Sequence, residues 1–264
     1  MAEANAVEQA VLYEVKDSTA IITMNRPGSL NSMSLPLVQG VIKGLEQAEA
    51  DGQVRVVVLT GAGRAFSAGG DLPSLDELHT IEQRQDFIRQ VGGMVKSIQA
   101  AKKPVIAMVN GVAAGAGFNL ALACDLIYAA AGVKFIQSFV NVGLSPDCGG
   151  FYYLAKAVGL AKAKELMLTA APLPAEEAAA LGMLNGVYPA EELSAQVLKV
   201  AGTIAAKAPL AVRKTKEAVN NYFADLDATL DFEAITSAEL LGTEDFKEGV
   251  TAFKEKRVPV FTGK

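Results

Sequence analysis

Apolar residues recur along the first half of the chain first at strand-like and then at helix-like spacing. Val11 to Val15 and Thr19 to Met24 are rich in β-branched side chains, and three polar residues separate them. This arrangement predicts a β-hairpin. Ser34 then precedes apolar residues at helical spacing, which is typical of an N-cap at the start of an amphipathic helix.

The next apolar runs are strands with no polar face. Strands of this kind are usually covered by helices on both sides. We predict such strands at Val54 to Thr60 and Pro104 to Val109, helices at Glu82 to Ala100 and Gly115 to Cys124, and short strands at Leu126 to Ala129 and Lys134 to Ile136. Strand alternating with helix favours an α/β fold with largely parallel sheets.

The last third of the chain has helical spacing almost throughout. The predicted helices are Glu191 to Ala206, Leu210 to Phe223, Thr229 to Leu241 and Glu244 to Lys254. We therefore expect an α/β core over residues 1–200 and a C-terminal helical region over residues 201–264.

Composition and charge narrow the class of protein. Half of the 264 residues are apolar (51%) and 20% are charged, which excludes a disordered chain. The formal charge of −5, without a basic run, argues against nucleic acid and anionic membranes as partners. The two cysteines lack CxxC spacing, the first residues lack the pattern of a signal peptide, and the longest apolar stretch is interrupted by Asn119 and Asp125. These features predict a cytoplasmic protein without a membrane span.

Several common cofactor sites are not supported by the motifs. Gly61-Ala62-Gly63 follows a predicted strand but is not completed to a dinucleotide fingerprint, and the chain has no GK[ST] phosphate loop. His79 is the single histidine, so a metal site would need carboxylate ligands almost alone. We expect neither a metal nor a bound cofactor.

Two glycine-rich segments follow predicted strands, where open α/β sheets place their ligands. They are Phe66 to Leu72 and Asn110 to Phe118. Missing side chains let a ligand approach the backbone, and a helix that starts near Gly115 leaves its first N–H groups without partners. Two such loops facing each other could hold one oxygen between two donors. The alternative is that the glycines serve only tight turns and helix packing.

Motifs in order along nearly the whole chain resemble the enoyl-CoA hydratase/isomerase (crotonase) superfamily. They are Arg26-Pro27 with Leu30-Asn31, Ala65 to Leu72, Lys103 to Ala107, Asn110-Gly111, Cys124-Asp125, Gly143 to Gly150, and the terminal Glu248-Gly249, Phe253, Lys256-Arg257, Pro259 and Phe261 to Gly263. The resemblance implies a spiral of ββα repeats with a C-terminal helical region that packs homotrimers, often paired into hexamers. It also implies an acyl-CoA thioester substrate, with coenzyme A as part of the substrate. Its carbonyl oxygen would lie between the backbone N–H groups of Gly70 and Ala116.

These donors fit the chemistry that the resemblance implies. Proton removal beside a thioester moves negative charge onto its oxygen, and fixed N–H dipoles stabilise that charge without reorganising. The loss of one such donor typically costs about 3 to 4 kcal/mol.

The catalytic carboxylates depart from the hydratase pattern. Hydratases of this family position water between two glutamates, and this chain has Asn119 and Phe139 at the matching positions. An amide and a phenyl ring cannot exchange protons at neutral pH. Asp147 instead matches the acidic residue of the isomerase members that use a single base. One base can take a proton from one carbon and return it two carbons away, and an apolar surround that includes Phe139 would raise its pKa.

Asp147 also fits a purely structural role. Pro146-Asp147 before Cys148 and two glycines is typical of a turn and a helix N-cap, so spacing alone favours the cap and the resemblance favours catalysis. Asn119 has a similar pair of interpretations: a hydrogen bond to substrate or water, or an amide that satisfies nearby backbone groups. Cys148 is expected to be a small buried hydrophobe.

The coenzyme A moiety has several candidate contacts. The family usually has a basic residue in the place of Ser29, and Arg26, with Lys264 from a neighbouring subunit, would compensate for its absence. The resemblance implies that backbone groups of Leu30, Ala68 and Gly70 hold the adenine and pantetheine.

Alternative functions remain open at the sequence level. One is an enoyl-CoA hydratase in which Asp147 replaces the glutamate pair. A dehalogenase-like reaction is disfavoured, because the chain has no tryptophan and its only histidine lies in the wrong segment. A serine hydrolase with Ser67 and His79 is suggested by an incomplete nucleophile elbow. A non-enzymatic alternative is an acyl-CoA-binding scaffold without turnover.

Overall fold

Two β-sheets form the centre of the computed structural model, which describes residues 10–221 and 225–264. The strands are β1 (Val11–Lys16), β2 (Thr19–Met24), β3 (Val56–Gly61), β4 (Ala65–Ser67), β5 (Val105–Val109), β6 (Val112–Ala114), β7 (Leu126–Ala130), β8 (Lys134–Ile136), β9 (Leu173–Pro174) and β10 (Gly186–Tyr188). The larger sheet has the order β1-β2-β3-β5-β7-β10 and the smaller sheet has the order β4-β6-β8-β9.

The larger sheet supplies the core. β1 and β2 form the predicted antiparallel hairpin, and the other pairs of this sheet are parallel. Val58 pairs with Ile21 on one side and Ile106 on the other. Every residue of β3 is buried, as expected for an apolar strand between helical layers.

Helices cover this sheet and extend beyond it. They are α1 (Leu35–Ala50), α2 (Leu72–Asp76), α3 (Ile81–Ala100), α4 (Ala116–Leu122), α5 (Gly150–Thr169), α6 (Ala175–Ala180), α7 (Ala190–Ala205), α8 (Pro209–Asn221), α9 (Leu226–Leu241) and α10 (Glu244–Glu255). α1 packs against α3 and the hairpin, and α7 packs along β2, β3, β5, β7 and β10. The expected boundary at residue 200 lies inside α7, which ends at Ala205. The division into two domains stays a prediction.

α8 is fastened to the core by a buried ion pair. Lys216 Nζ lies 2.8 Å from Asp125 Oδ2, and the lysine side chain is 7% exposed. Lys216 also donates to the carbonyl oxygens of Ile98 and Lys103. Burial raises the pKa of Asp125, and the Lys216 ammonium opposes this shift. A charge this deep is tolerated only when its hydrogen bonds are made, so this cluster fixes α8 in place.

The order of elements confirms the predicted α/β fold with a helical C-terminus, while the boundaries differ by a few residues. β3 begins at Val56 instead of Val54, and α4 ends at Leu122. The last residue of the predicted helix Leu210 to Phe223 lies outside the described residues, where α8 ends at Asn221. The strands of the smaller sheet are only two or three residues long, and most of them were not predicted.

The smaller sheet positions the loops that carry the candidate chemistry. β4, β6 and β8 are parallel neighbours, so their carboxyl ends meet at one edge. The segment after β4 contains Gly69 and Gly70, the segment after β6 contains Gly115, and the segment after β8 contains Gln137. Side chains far apart in sequence are therefore brought together there. In the described ranges, no helix is both long and apolar enough to cross a membrane.

Candidate active site

The two glycine-rich loops are in contact with each other. Gly69 has φ +96°, and a Cβ atom there would lie 2.8 Å from the Ala114 carbonyl oxygen and 3.3 Å from the Ala116 nitrogen. Gly115 has φ +51°, and its Cβ would lie 3.8 Å from Gly69 Cα. Gly69 therefore requires glycine because of both conformation and space, and Gly115 because of conformation.

The loops present two backbone N–H groups without partners. Ala116 is the first residue of α4, so its N–H has no acceptor within the helix. At the other loop, Met33 N donates to Gly69 O (2.7 Å) and Asp71 N donates to Met33 O (3.3 Å). Gly70 lies between Gly69 and Asp71 in the chain, and its N–H takes part in neither bond. Neither the Gly70 nor the Ala116 amide donates to another group in residues 10–221 and 225–264. Free amides on adjoining loops are what an oxyanion site requires.

Asp147 is a half-buried carboxylate in the loop before α5. Its Oδ1 atom is buried and accepts no hydrogen bond from any described residue. Burial raises the pKa of Asp147 to about 6, and its own backbone N–H opposes this shift only in part. The N-cap of α5 is Gly149, and no side chain caps that helix. The helix-cap interpretation of Asp147 is therefore wrong, and its carboxylate is left for other chemistry.

Asn119 lies on α4 with its amide turned toward the Asp147 loop. The side chain is fully buried, and its Nδ2 donates to the Asp147 carbonyl oxygen at 2.8 Å. Its Oδ1 accepts a hydrogen bond of 2.7 Å from Gln137 Nε2. Both ends of the amide are therefore engaged within the protein, as in the structural interpretation. A direct contact between Asn119 and substrate stays a prediction.

Two buried apolar side chains lie at the site, Phe139 beside Gly115 and Cys148 directly after Asp147. Phe139 is 7% exposed, and its Cζ atom would lie 3.7 Å from a Cβ at Gly115. Cys148 is 4% exposed, and burial keeps the pKa of its thiol well above the ordinary value, so it is a neutral small hydrophobe as expected. Phe151 and Tyr152 are instead 60% and 48% exposed. These two rings give little support for an aromatic pocket.

Asp71 differs from Asp147 because it is fully engaged. Arg26 Nη1 lies 3.2 Å from Asp71 Oδ1, and Ser32 and Ser74 donate to the same carboxylate. Burial alone would raise the pKa of Asp71, but the serine hydrogen bonds and the Arg26 guanidinium bring it below its usual range. Sequence reasoning missed both serines. Ser32 and Asp71 are far apart in the sequence, so no local sequence pattern predicts that they will be in contact in the folded chain.

The other predicted contacts for coenzyme A lie near the same loops or at the chain end. Arg26 also donates to the Ser32 carbonyl at 2.8 Å, so its charge is shared with internal groups. Ala68 N donates to Leu30 O at 2.9 Å, and Leu30 has left-handed φ of 54°. Lys264 has an exposed side chain, and its carbonyl accepts from Asp245 N. Binding of coenzyme A by these residues stays a prediction.

The structure overturns the serine hydrolase hypothesis. Ser67 is fully buried, and its Oγ donates to the Asn31 carbonyl at 2.8 Å. His79 is exposed before α3, and its backbone N–H donates to Gln83. Ser67 therefore lacks the histidine that would activate it as a nucleophile. Across the described part of the chain, no three His, Cys, Asp or Glu side chains are grouped to hold a metal ion.

A separate cavity of about 930 Å³ lies between the end of α4, α5 and α8. Its lining includes Leu122, Tyr153, Val212 and Lys216 and does not include Gly70, Ala116 or Asp147. Tyr153 also contacts the loop that carries Asp147, because a Cβ at Gly149 would lie 2.8 Å from its Cε2 atom. Because this lining lacks the two unpaired amides and the acid, the cavity is not the candidate active site.

Comparison with known proteins places the chain in a family. A family model described as enoyl-CoA hydratase/isomerase matches residues 14–264. The chain belongs to the enoyl-CoA hydratase/isomerase family, the crotonase superfamily, which confirms the resemblance seen in its motifs.

Relatives within the family carry different names. The chain is 37% identical to a short-chain-enoyl-CoA hydratase of Clostridium acetobutylicum, over 94% of this chain and 95% of the relative. It is also 37% identical to a 1,2-epoxyphenylacetyl-CoA isomerase of Escherichia coli, over 96% of this chain and 98% of the relative. The crystal structure of an enoyl-CoA hydratase from Bacillus anthracis superposes with a TM-score of 0.93 at 34% identity, covering 97% of this chain and all of that chain. Hydratases and isomerases are thus both among its relatives.

Proposed function

We propose that the protein is an acyl-CoA isomerase of crotonase type. It would move a double bond in an enoyl-CoA or rearrange a ring-acyl-CoA through a thioester enolate. The observation that carries this proposal is the Asp147 carboxylate, whose Oδ1 accepts no hydrogen bond from the described residues and whose pKa is raised to about 6 by burial. A base with a pKa near the working pH is suited to taking and returning a proton.

The proposed reaction uses one acid and two amides. The ionised Asp147 carboxylate removes a proton from a carbon conjugated to the thioester, and the electron pair of that bond moves onto the thioester oxygen. The N–H groups of Gly70 and Ala116 stabilise the resulting negative charge. Asp147, now protonated, returns the proton two carbons away, and the charge on oxygen collapses. The proton count is unchanged, and the cycle needs no water molecule.

Two features support isomerisation over hydration. Asn119 donates to the Asp147 carbonyl and Phe139 lies beside Gly115, and neither side chain can act as a second acid or base. Phe139 and Cys148 are buried and apolar, so they disfavour a water molecule held against the substrate. The isomerase of Escherichia coli among the relatives supports a ring substrate. A linear 3-enoyl chain is the second substrate class that the proposal covers.

A turnover screen tests the proposal. Purified protein is incubated with 3-enoyl-, 2-enoyl- and ring-acyl-CoA thioesters. The products are separated by chromatography, and their masses are measured by mass spectrometry. Isomerisation leaves the mass unchanged, and hydration adds the mass of one water. We expect products of unchanged mass from wild type and almost none from Asp147→Asn. Full activity of Asp147→Asn would overturn the mechanism, and binding without turnover of any thioester would favour a non-catalytic scaffold.

The screen also tests the hydratase alternative. Several relatives are named enoyl-CoA or crotonyl-CoA hydratases, which favours water addition to a 2-enoyl-CoA as the second candidate function. A dominant product one water heavier than a 2-enoyl substrate would establish hydration and contradict the isomerase proposal.

We also propose that the chain assembles as a homotrimer or a pair of trimers, with Lys264 reaching the coenzyme A site of a neighbour. Large apolar side chains are exposed on α5 and near the chain end, among them Leu160 (70%), Leu168 (73%), Phe253 (85%) and Val258 (81%). Such a surface is typical of an interface. Sedimentation equilibrium would show three or six chains, and a monomer at micromolar concentration would contradict the proposal. The cytoplasmic setting stays a prediction.

A further inference from the structure

Asn119 and Gln137 form a buried pair of amides that connects three site elements. Gln137 follows β8 and is 1% exposed, and Asn119 on α4 is fully buried. Gln137 Nε2 donates to Asn119 Oδ1 at 2.7 Å, and Asn119 Nδ2 donates to the carbonyl oxygen of Asp147 at 2.8 Å. Two consecutive hydrogen bonds therefore run from the end of β8 through α4 to the acid-bearing loop.

The two hydrogen bonds give the Asn119 amide one orientation. The Asp147 carbonyl oxygen can only accept, so it faces Asn119 Nδ2. The Asn119 oxygen then lies on the other side, where Gln137 Nε2 donates to it. Gln137 makes no contact with the Asp147 carbonyl in this arrangement and holds the far end of the amide that does.

Packing around the amides leaves them little freedom. A Cβ atom at Gly150 would lie 2.3 Å from Asn119 Nδ2 and 2.6 Å from its Cγ. α5 therefore begins against the face of the Asn119 side chain. Cys148 and Gly149 just before it both have positive φ, of 51° and 75°. A loop of this shape is held by its surroundings, and the Asn119 hydrogen bond is a fixed point within it.

We propose that Asn119 and Gln137 are positioning residues for Asp147: Gln137 orients the Asn119 amide, which in turn fixes the backbone that carries the acid. This inference rests on the proposed function of Asp147. It assigns to residue 119 a role that needs no contact with the substrate. A base misplaced by about 1 Å can lose up to 100-fold in rate.

Gln137→Met is the sharpest test, because it keeps the length of the side chain and removes the donor. It deletes one hydrogen bond, that to Asn119, and the Gln137 Oε1 atom accepts no hydrogen bond from the described residues. We expect kcat to fall about 10-fold with KM within 2-fold of wild type, and the melting temperature to change by only a few degrees. A purely structural role would lower activity only in proportion to the folded fraction.

Tyr13→Phe is the matched control. It also removes a buried oxygen without a partner among the described residues, but from β1, away from the loop. Its kcat and KM should equal those of wild type. Asn119→Leu is the second variant, and its folded molecules should show the same loss in kcat as Gln137→Met. Active-site titration with a tight-binding acyl-CoA analogue gives the concentration of folded sites to which kcat is referred.

The outcomes separate this inference from the proposed function. If wild type isomerises thioesters, Asp147→Asn does not, and Gln137→Met keeps its full kcat, the positioning role is overturned while the proposed function stands. If wild type turns over no thioester, the proposed function fails first. A 10-fold loss in kcat at unchanged KM and melting temperature, absent in Tyr13→Phe, supports the positioning role.

Discussion

Two carboxylates near the glycine loops have opposite surroundings. Asp71 follows the Gly70 amide directly and accepts hydrogen bonds from Ser32, Ser74 and Arg26, and the pKa of its carboxyl is lowered. Asp147 is far away in the sequence, its Oδ1 has no partner among the described groups, and burial raises its pKa to about 6. The comparison shows that partners, and not sequence distance from the oxyanion loop, decide which acid is available to carry protons.

Replacing each acid by its amide should give the largest difference between them. Asp147→Asn should lower kcat about 1000-fold with KM changed little, because the base is lost and its shape is kept. Asp71→Asn should keep kcat within about 10-fold, because this carboxylate supports structure. Steady-state kinetics on the best thioester measures both. Equal losses in the two variants would remove the distinction drawn between them.

Changing the contact between the loops should affect the reaction without touching either acid. Gly69→Ala places a Cβ atom 2.8 Å from the Ala114 carbonyl at a φ that alanine rarely adopts. We expect a loss in kcat of about 100-fold, the size found when one oxyanion donor is removed.

Gly92→Ala is the matched control for this change. Gly92 lies within α3, and a Cβ there meets no atom within 4 Å. Kinetics should be unchanged and stability should rise by about 0.5 to 1 kcal/mol. Normal kinetics in folded Gly69→Ala would contradict the placement of the oxyanion site.

The pH dependence of turnover should follow Asp147 and not Asp71. The pKa of Asp147 is raised to about 6, and only its ionised form can accept the substrate proton. The value of kcat/KM for wild type should therefore be constant above about pH 7 and fall about 10-fold per pH unit below 6. Rate measurements from pH 5 to 8.5 test this, and a flat profile down to pH 5 would show that another group is the base. Asp71→Asn should keep the same profile.

Stability should give the smallest effect, with opposite signs for the two acids. Folding raises the pKa of Asp147 above 3.8, so its ionised form destabilises the native state, and this penalty grows as the pH rises from about 4 to 6. Asp147→Asn should thus gain about 3 kcal/mol at pH 7.5 and less than about 1 kcal/mol at pH 4. Asp71 has a lowered pKa, so its contribution is present above about pH 4 and is lost as the pH falls. Asp71→Asn should lose about 2 kcal/mol at pH 7.5 and less at pH 3.5.

Urea unfolding of both variants at the two pH values provides the measurement. The free energy of unfolding of each variant is compared with that of wild type at the same pH. A gain in stability for Asp71→Asn at pH 7.5, or a loss for Asp147→Asn, would reverse the assignment of the two acids.

The long elements of the fold could be predicted from the sequence, because their periodicity extends over many residues. β1, β2 and α3 appear within a residue or two of the expected limits. In the smaller sheet β8 was predicted, but β4, β6 and β9 were missed since strands of two or three residues have no period to detect. Their pairing is stabilised by contacts distant in sequence, and it is this sheet that brings the site loops together.

For the site, the glycine loops and Asp147 could be located from their motifs, whereas the partners of each group could not. The burial of Asp147 matches the expected rise in its pKa. The engagement of Asn119 with Gln137 and with the Asp147 carbonyl depends on three segments that meet only in the folded chain. No spacing rule connects them, so only the structure distinguishes an amide that holds a loop from one that binds a ligand.

The two unpaired donors of the glycine loops belong to the main chain, so proline is the one coded residue that deletes either of them, and it adds a ring as it does so. Random mutagenesis can reshape the turns around Gly70 and Ala116 but cannot subtract one amide hydrogen at a fixed shape. Chemical synthesis can, since exchanging a peptide nitrogen for an ester oxygen removes the hydrogen and keeps the geometry. For the same reason, new activities would arise by exchanging side chains near the acid, while the two backbone amides that stabilise the negative charge stay in place.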